Sequence, residues 1–220
     1  MSAPENREAA FLAKITASAT HEIRNVLAIV KESAGLIQDV IHSWSQSEVP
    51  NQDKVLRSLG RIDAQVIRGA DLLSNLNRFA HSLDRLQEET DLSLEAQQVA
   101  LLSQRFARKK RHVVQVRPAD QRLPVAVKPL ELQMALFAAV ECCLDQLPEA
   151  STVTIHPARE GDRASVEFIG EAGEKALLPA PAAADGWGRL VELLDDFGAS
   201  IETSDTAYRF RIVLPSVGAR

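Results

Sequence analysis

Three residues of types that can do chemistry stand close together near the start of the chain, in the stretch Thr20-His21-Glu22-Ile23-Arg24-Asn25. In a helix, His21 and Asn25 share one face because they are four residues apart. An imidazole titrates near neutrality and is a competent nucleophile, and an adjacent carboxylate such as Glu22 can orient the ring. A carboxamide one turn away can hold a water molecule or a phosphoryl oxygen. The stretch therefore predicts a nucleophilic histidine with two polar helpers.

The sequence around this stretch, from about residue 7 to residue 87, predicts two long helices with apolar residues repeating every seven positions. The break is the polar segment 45–53, in which Asp53 is a candidate helix cap. The repeats are Leu12, Ala19, Val26, Ser33 and Val40 with Ile23, Val30, Ile37 and Trp44 in the first helix, and Val55, Ile62, Gly69, Leu76 and Leu83 with Leu59, Val66, Leu73 and Ala80 in the second. The three polar residues lie off both repeats, so we expect them on the solvent side.

The apolar stripe of this hairpin is wider than two repeats. Two helices of about 35 to 40 residues would each be about 55 Å long. The positions that widen the stripe are Leu27, Ile41, Leu56, Ile67, Leu72 and Phe79. A hairpin cannot cover both of its own apolar faces, so a second copy of the chain is predicted to complete a dimeric four-helix bundle. The alternative is a single hairpin folded onto the rest of the chain.

After about residue 88 the pattern changes to helices interspersed with short alternating strands, which predicts a two-layer α/β sandwich. The predicted elements are helices over 91–110, 129–146 and 188–197, and strands over 112–117, 152–156, 164–169, 200–203 and 208–214. We therefore expect an α+β chain of two domains. Residues 1–88 would form the long helical hairpin of a dimeric four-helix bundle, and residues 89–220 the α/β sandwich.

The composition is that of an ordinary soluble protein. Hydrophobic residues make up 45% and charged residues 25% of 220 residues, and the formal net charge of −5 argues against binding nucleic acid or anionic lipid. No signal peptide and no apolar run of about 18 to 20 residues is present, so no membrane segment is expected. The adjacent Cys142 and Cys143 fit a reducing cytoplasm. No histidines or cysteines have metal-ligand spacing, so no metal site is expected.

The stretch around His21 resembles the H-box of two-component histidine kinases, usually His-Glu-x-x-Asn-Pro-Leu within the dimerisation and phosphoacceptor helices. The match covers His21, Glu22, Asn25 and Leu27, with Val26 in place of the usual proline, which should straighten the helix. The resemblance implies that His21 is the phosphorylated residue and Glu22 the neighbouring acid–base group. It also implies that Asn25 supports dephosphorylation of a response regulator. The alternative is an ordinary solvated His-Glu face.

The second half resembles the ATP-binding domain of histidine kinases in order and length, but its catalytic residues are missing. Phe137 and Glu141 stand where the family has two asparagines, the later of which holds Mg²⁺. No aspartate stands at the adenine-reading position, and only twelve residues separate Gly173 from Gly186, too few for the usual lid. Trp187 occupies a glycine loop that should approach phosphates. The combination resembles the kinase-like histidine phosphotransferases of bacterial phosphorelays, which implies a degenerate ATPase-like domain without a cofactor.

We therefore expect a protein that relays a phosphoryl group between response-regulator receiver domains through His21, without ATP and with Mg²⁺ supplied by the receiver. The docking surface is predicted just past His21 toward the hairpin turn, where apolar side chains would meet a receiver helix. Its predicted members are Val26, Ile29, Val30 and Ser33. Two alternatives stay open. One is a true autokinase or a response-regulator phosphatase built on Glu22 and Asn25, and the other is a non-catalytic dimeric module that sequesters a receiver.

Overall fold

The computed structural model describes residues 4–44, 52–83, 89–173, 179–204 and 208–215. Its helices are α1 (Pro4–Trp44), α2 (Gln52–Leu83), α3 (Leu92–Lys109), α4 (Pro129–Gln146) and α5 (Trp187–Asp195), with a 3₁₀ turn at Pro181–Ala183. Its strands are β1 (Thr90–Asp91), β2 (Val113–Val116), β3 (Pro124–Val125), β4 (Thr152–Glu160), β5 (Arg163–Glu171), β6 (Ser200–Thr203) and β7 (Arg209–Val213). The chain is α+β, as the sequence predicts.

The chain divides into two compact units, Ala9–Arg78 and a second unit of Met1–Glu8 with Phe79–Arg220. The predicted domain boundary after residue 88 lies outside the described residues, as do residues 45–51 of the predicted hairpin turn. Asp53 lies in the first turn of α2, which begins at Gln52, and is not its cap.

The first unit is the hairpin of α1 and α2. The two helices approach closely at Gly69, where an added methyl group would lie 3.2 Å from Cγ1 of Val26. One turn along α1 from Val26, Glu22 pairs with Arg68 of α2. These two contacts join the helices beside the candidate histidine.

The buried residues of this hairpin are both polar and apolar, and the apolar ones include Phe11, Ile15 and Val26. Ser18, Glu22, Ser33 and Ser58 are each at most 7% exposed, whereas a set of large apolar side chains is 44 to 65% exposed. The exposed set is Leu27, Leu36, Ile41, Leu56, Leu59, Val66, Ile67 and Leu73. Two residues expected in the widened stripe differ, since Phe79 is buried and Leu72 half-buried. The described hairpin thus leaves eight large apolar side chains exposed.

The second unit is built on a five-stranded mixed sheet of order β2-β4-β5-β7-β6, in which only β2 and β4 run parallel. Helices α3, α4 and α5 contact the sheet and pack on one another in sequence. The strand residues of this sheet that are at most 1% exposed are Val153, Ile155, Val166, Phe168, Phe210 and Ile212. The predicted two-layer sandwich is therefore observed.

Two strand features differ from the prediction. β4 runs to Glu160 and not to His156, because it pairs with β5 across a tight turn at Gly161, whose φ of 58° suits glycine. The pair β1–β3 was not predicted, since two residues are too short to show a period.

Candidate functional site

His21 is exposed near the middle of α1, and Asn25 lies one turn further along the same exposed face. The Nδ2 atom of Asn25 lies 3.2 Å from Nδ1 of His21, within hydrogen-bonding distance. The helix brings the pair together because residues at i and i+4 are neighbours on its surface. The bond fixes the plane of the imidazole and leaves Nε2 on the opposite edge of an exposed ring.

This hydrogen bond also selects the tautomer of His21. A neutral imidazole has a proton on one nitrogen and a lone pair on the other, and a carboxamide offers both a donor and an acceptor. When Oδ1 of Asn25 accepts from Nδ1–H, Nε2 keeps the lone pair; when Nδ2 donates to Nδ1, Nε2 holds the proton. A half-turn of the carboxamide exchanges these two tautomers, so the orientation of Asn25 determines whether Nε2 carries the lone pair of a nucleophile.

Glu22 is placed differently from the expectation that it lies on the solvent side next to the imidazole. Its side chain is only 9% exposed, and Oε2 accepts a hydrogen bond from Nη2 of Arg68 at 2.5 Å. Successive side chains of a helix point about 100° apart. Because His21 faces solvent, Glu22 turns toward α2, where the guanidinium meets it.

Two of the four predicted docking residues are not accessible. Val26 is 4% and Ser33 0% exposed, because both lie in the seam against α2. Ile29 and Val30 are half-buried. The prediction is therefore wrong for Val26 and Ser33 as surface residues, since a repeat that packs the two helices together cannot also face a partner.

A groove that the sequence analysis missed opens on the His21 side of the hairpin. It has a volume of about 520 Å³ and lies between the C-terminal half of α1 and the start of α2. Asp39 borders it eighteen residues after His21, about five turns, so the two share one face of α1. Its lining residues are Leu36, Asp39, Val40, Lys54, Arg57, Ser58 and Arg61. The sequence did contain a signal for this groove: Lys54, Arg57 and Arg61 are spaced three and four residues apart, which places three basic side chains on one helix face.

In the second unit, Phe137 is 2% exposed within α4, and its ring packs edge-on against Phe106 with centroids 5.3 Å apart. An apolar ring offers no ligand or hydrogen-bonding atom, so Phe137 does not fit the first of the two asparagines of a nucleotide site. Trp187 opens α5 and packs edge-on against Phe210 at 5.2 Å. Glu141 is half-buried. Residues 174–178 of the shortened lid segment lie outside the described residues.

Neither cysteine resembles a nucleophile. Burial, aided by Asp145 and Glu141, raises the pKa of the Cys142 thiol to about 12, and burial raises the pKa of Cys143 well above its ordinary value. Thiolates are the reactive form, so both side chains stay protonated.

The described parts of the chain hold neither a metal-type cluster of side chains nor a helix suited to crossing a membrane. Within the described ranges, no three acidic, histidine or cysteine side chains come together in a manner suited to a metal ion. No helix in those ranges combines the length and apolar character that crossing a membrane requires.

No family model and no curated protein matches this chain. Several solved structures are similar to it. A bacterial phosphotransferase shares 9% identity over 98% of each chain with a TM-score of 0.49. A histidine kinase from Burkholderia phymatum shares 14% identity over 94% of this chain and 98% of its own, with a TM-score of 0.48. The catalytic domain of the histidine kinase ThkA shares 15% identity over 58% of this chain and 94% of its own, with a TM-score of 0.49.

Proposed function

We propose that this chain is a homodimeric histidine phosphotransfer protein that relays a phosphoryl group between response-regulator receiver domains through His21, without binding ATP. The observation that carries the proposal is the exposed imidazole of His21, held at Nδ1 by Asn25 with Nε2 toward solvent. An oriented nucleophile is most of what this chemistry requires, because phosphoryl transfer depends mainly on positioning and charge stabilisation.

The transfer uses the lone pair of Nε2 on His21. It attacks the phosphorus of an aspartyl phosphate; the P–N bond forms, the P–O bond to the aspartate breaks, and the carboxylate leaves. For this step the carboxamide of Asn25 is turned so that Oδ1 accepts from Nδ1–H, and this hydrogen bond steadies the positive charge of the ring. In the second half, the carboxylate of another receiver attacks the phosphorus and the electron pair of the P–N bond returns to Nε2. Each receiver supplies the Mg²⁺, which neutralises negative charge on the phosphoryl group.

The groove beyond His21 is the proposed docking surface for the receiver. Leu36 and Val40 provide apolar contact, and Arg57 and Arg61 provide positive charge partly offset by Asp39. The matching partner is a helix with an apolar stripe flanked by acidic side chains, since opposite potentials steer docking. Of the residues predicted from the sequence, the half-buried Ile29 and Val30 remain candidates for this contact.

The homodimer is supported by the exposed apolar side chains of the hairpin. Exposed apolar patches on a folded chain mark interaction sites. Leu59, Val66 and Leu73 follow a seven-residue repeat on α2 and are 49 to 56% exposed, as expected for one side of a four-helix bundle. A second copy supplies the same repeat and closes the core.

The second unit is proposed to have lost nucleotide binding while keeping its fold. The packing of Phe137 and of Trp187 against other aromatic rings supports this proposal, because both replace polar or small positions of a nucleotide site. The buried free thiols of Cys142 and Cys143 support a reducing compartment, and we propose the cytoplasm.

A response-regulator phosphatase is the second candidate, and the exposure of Asn25 favours it. An exposed carboxamide one turn from His21 has the donors and acceptors to hold a water molecule against a docked aspartyl phosphate. In that case the label leaves as inorganic phosphate and never resides on His21.

The test is to mix the purified chain, without ATP, with ³²P-labelled phospho-receivers from the same organism. The wild type should take up acid-labile label, and His21→Ala should not. His42→Ala is the matched control, because His42 is another exposed histidine of α1, and it should behave as the wild type. Release of free phosphate by both His21→Ala and the wild type would favour the phosphatase. Receivers that bind but keep their label would instead favour the sequestering module.

A further inference from the structure

The ion pair between Glu22 and Arg68 joins the two helices of the hairpin beside His21. Nη2 of Arg68 donates to Oε2 of Glu22 at 2.5 Å, and the two residues are 46 positions apart in the chain. The carboxylate side chain is 9% exposed and the guanidinium side chain 39% exposed. The pair is therefore a tertiary contact that ties the turn of α1 carrying His21 to α2.

His21 and Glu22 are neighbours in sequence, but their side chains have different partners. The imidazole of His21 is held by Asn25 on the solvent face, whereas Glu22 points into the seam toward Arg68. A group that transfers protons must lie within hydrogen-bonding reach of the proton it moves. The guanidinium of Arg68 places a positive charge directly against the carboxylate of Glu22. The dianionic phosphoryl group that approaches His21 therefore meets an ion pair and not an isolated negative charge.

We propose that Glu22 and Arg68 form a clamp that holds His21 in register for phosphoryl transfer, so that Arg68 is a positioning residue and Glu22 is not the acid–base group. This inference rests on the proposed phosphotransfer at His21, and it assigns to Arg68 a part in that reaction. The clamp fixes the rotation of α1 about its axis, and this rotation determines whether Nε2 of His21 faces an incoming phosphorus.

The charge balance of the clamp makes it testable. Replacing Arg68 by Gln removes the guanidinium from the buried carboxylate of Glu22, which is unfavourable. Replacing both residues by Gln removes both charges and keeps side chains that can hydrogen-bond to each other. A clamp is therefore restored by the double change, whereas an acid–base carboxylate is lost in every variant that lacks Glu22.

The experiment measures transfer of ³²P to His21 from a phospho-receiver docked on the hairpin, because the orientation of Nε2 matters only toward a donor of fixed position. The P–O bond to the receiver's aspartate breaks, its carboxylate leaves, and a P–N bond forms to Nε2. The variants are Arg68→Gln, Glu22→Gln and Glu22→Gln/Arg68→Gln, with His21→Ala as the blank. Arg78→Gln is the matched control, because Arg78 is another exposed arginine of α2. Circular dichroism and thermal unfolding establish the folded fraction of each variant, and rates are expressed per folded molecule.

We expect Arg68→Gln to label about tenfold more slowly than the wild type, as a misplaced reacting group should. The double variant should recover to within about threefold and keep the pH profile of the wild type, since a positioning role contributes no titrating group. A double variant as slow as Arg68→Gln, with an altered pH profile, would overturn the clamp and return the acid–base role to Glu22. An Arg68→Gln rate equal to that of Arg78→Gln would overturn it as well. If wild type and His21→Ala both stay unlabelled, the phosphotransfer proposal itself fails.

Discussion

Asn25 holds Nδ1 of His21 through a 3.2 Å hydrogen bond between side chains one helical turn apart. The relationship leaves Nε2 as the outward edge of the ring, and it lets the carboxamide orientation decide which nitrogen bears the proton. The reactivity of His21 is thus expected to depend on a residue four positions away and not on the acid that immediately follows it.

Replacing Asn25 by Ala should therefore slow labelling of His21. The ring loses its fixed plane and tautomer, so we expect the initial rate of label transfer to fall about tenfold. The rate is measured with a phospho-receiver as the donor, in a quenched time course. Arg24→Ala, at an exposed neighbour of His21, is the control and should retain the wild-type rate. Equal rates for Asn25→Ala and Arg24→Ala would contradict the orienting role.

A charge placed on the exposed apolar face of α2 should separate the proposed dimer. Val66 is 56% exposed in the single chain, and Val66→Asp would bury a carboxylate without a partner in the bundle core. We expect the molar mass from light scattering to fall from two chains to one. Ala64→Asp, on the exposed surface two residues away, should stay dimeric. A wild type that sediments as one chain would refute the dimer directly.

Reversal of charge in the groove should affect docking but not chemistry. Arg57→Glu with Arg61→Glu replaces two cations of the groove lining, so label transfer from a receiver should slow by at least about tenfold, and its salt dependence should weaken. Labelling by phosphoramidate, a small phosphoryl donor, should be unchanged, because that donor needs no groove. An equal loss of labelling rate with the receiver and with phosphoramidate would show that the groove is not part of the docking surface.

Crowding at Gly170 gives a stability prediction for the second unit. An added methyl would lie 2.7 Å from Cδ1 of Tyr208 and 2.8 Å from both Cδ atoms of Leu147. We expect Gly170→Ala to lower the free energy of unfolding by about 1 to 3 kcal/mol, measured by urea denaturation. Gly173→Ala is the control, because nothing lies within 4 Å of its added methyl. Similar denaturation midpoints for both variants would show that the sheet yields to the extra group.

Acidification should destabilise the second unit through His112. Burial lowers the pKa of His112 from its usual 6.5, so the unfolded chain binds the proton more readily than the folded one. Stability from this residue is present above pH 6.5 and is lost as the pH falls through the lowered value. His112→Gln should flatten the fall in urea midpoint between pH 7 and pH 5. The comparison at pH 8, well above the usual pKa of 6.5, isolates the cost of the substitution itself.

Local patterns predicted the elements of this protein well. The helix predicted over 129–146 is observed as Pro129–Gln146, because a proline start and a continuous apolar run are signals carried by neighbouring residues. The pair β1–β3 gave no such signal, since its two-residue strands are specified only by each other. Prediction succeeded where the determinant is short-range and failed where a strand exists only through its partner.

In the candidate site, too, the short-range features were predicted from the sequence and the long-range contacts were not. The sequence by itself determined that His21 and Asn25 share a face, because the spacing of four is a property of one helix. Only the tertiary structure decided that Glu22 faces Arg68 and that Val26 and Ser33 are buried. Heptad spacing gives the relative directions of side chains on α1, but the side that becomes interior depends on where α2 packs. That placement is fixed by contacts between residues more than forty positions apart, such as Val26 with Gly69, and no local pattern contains them.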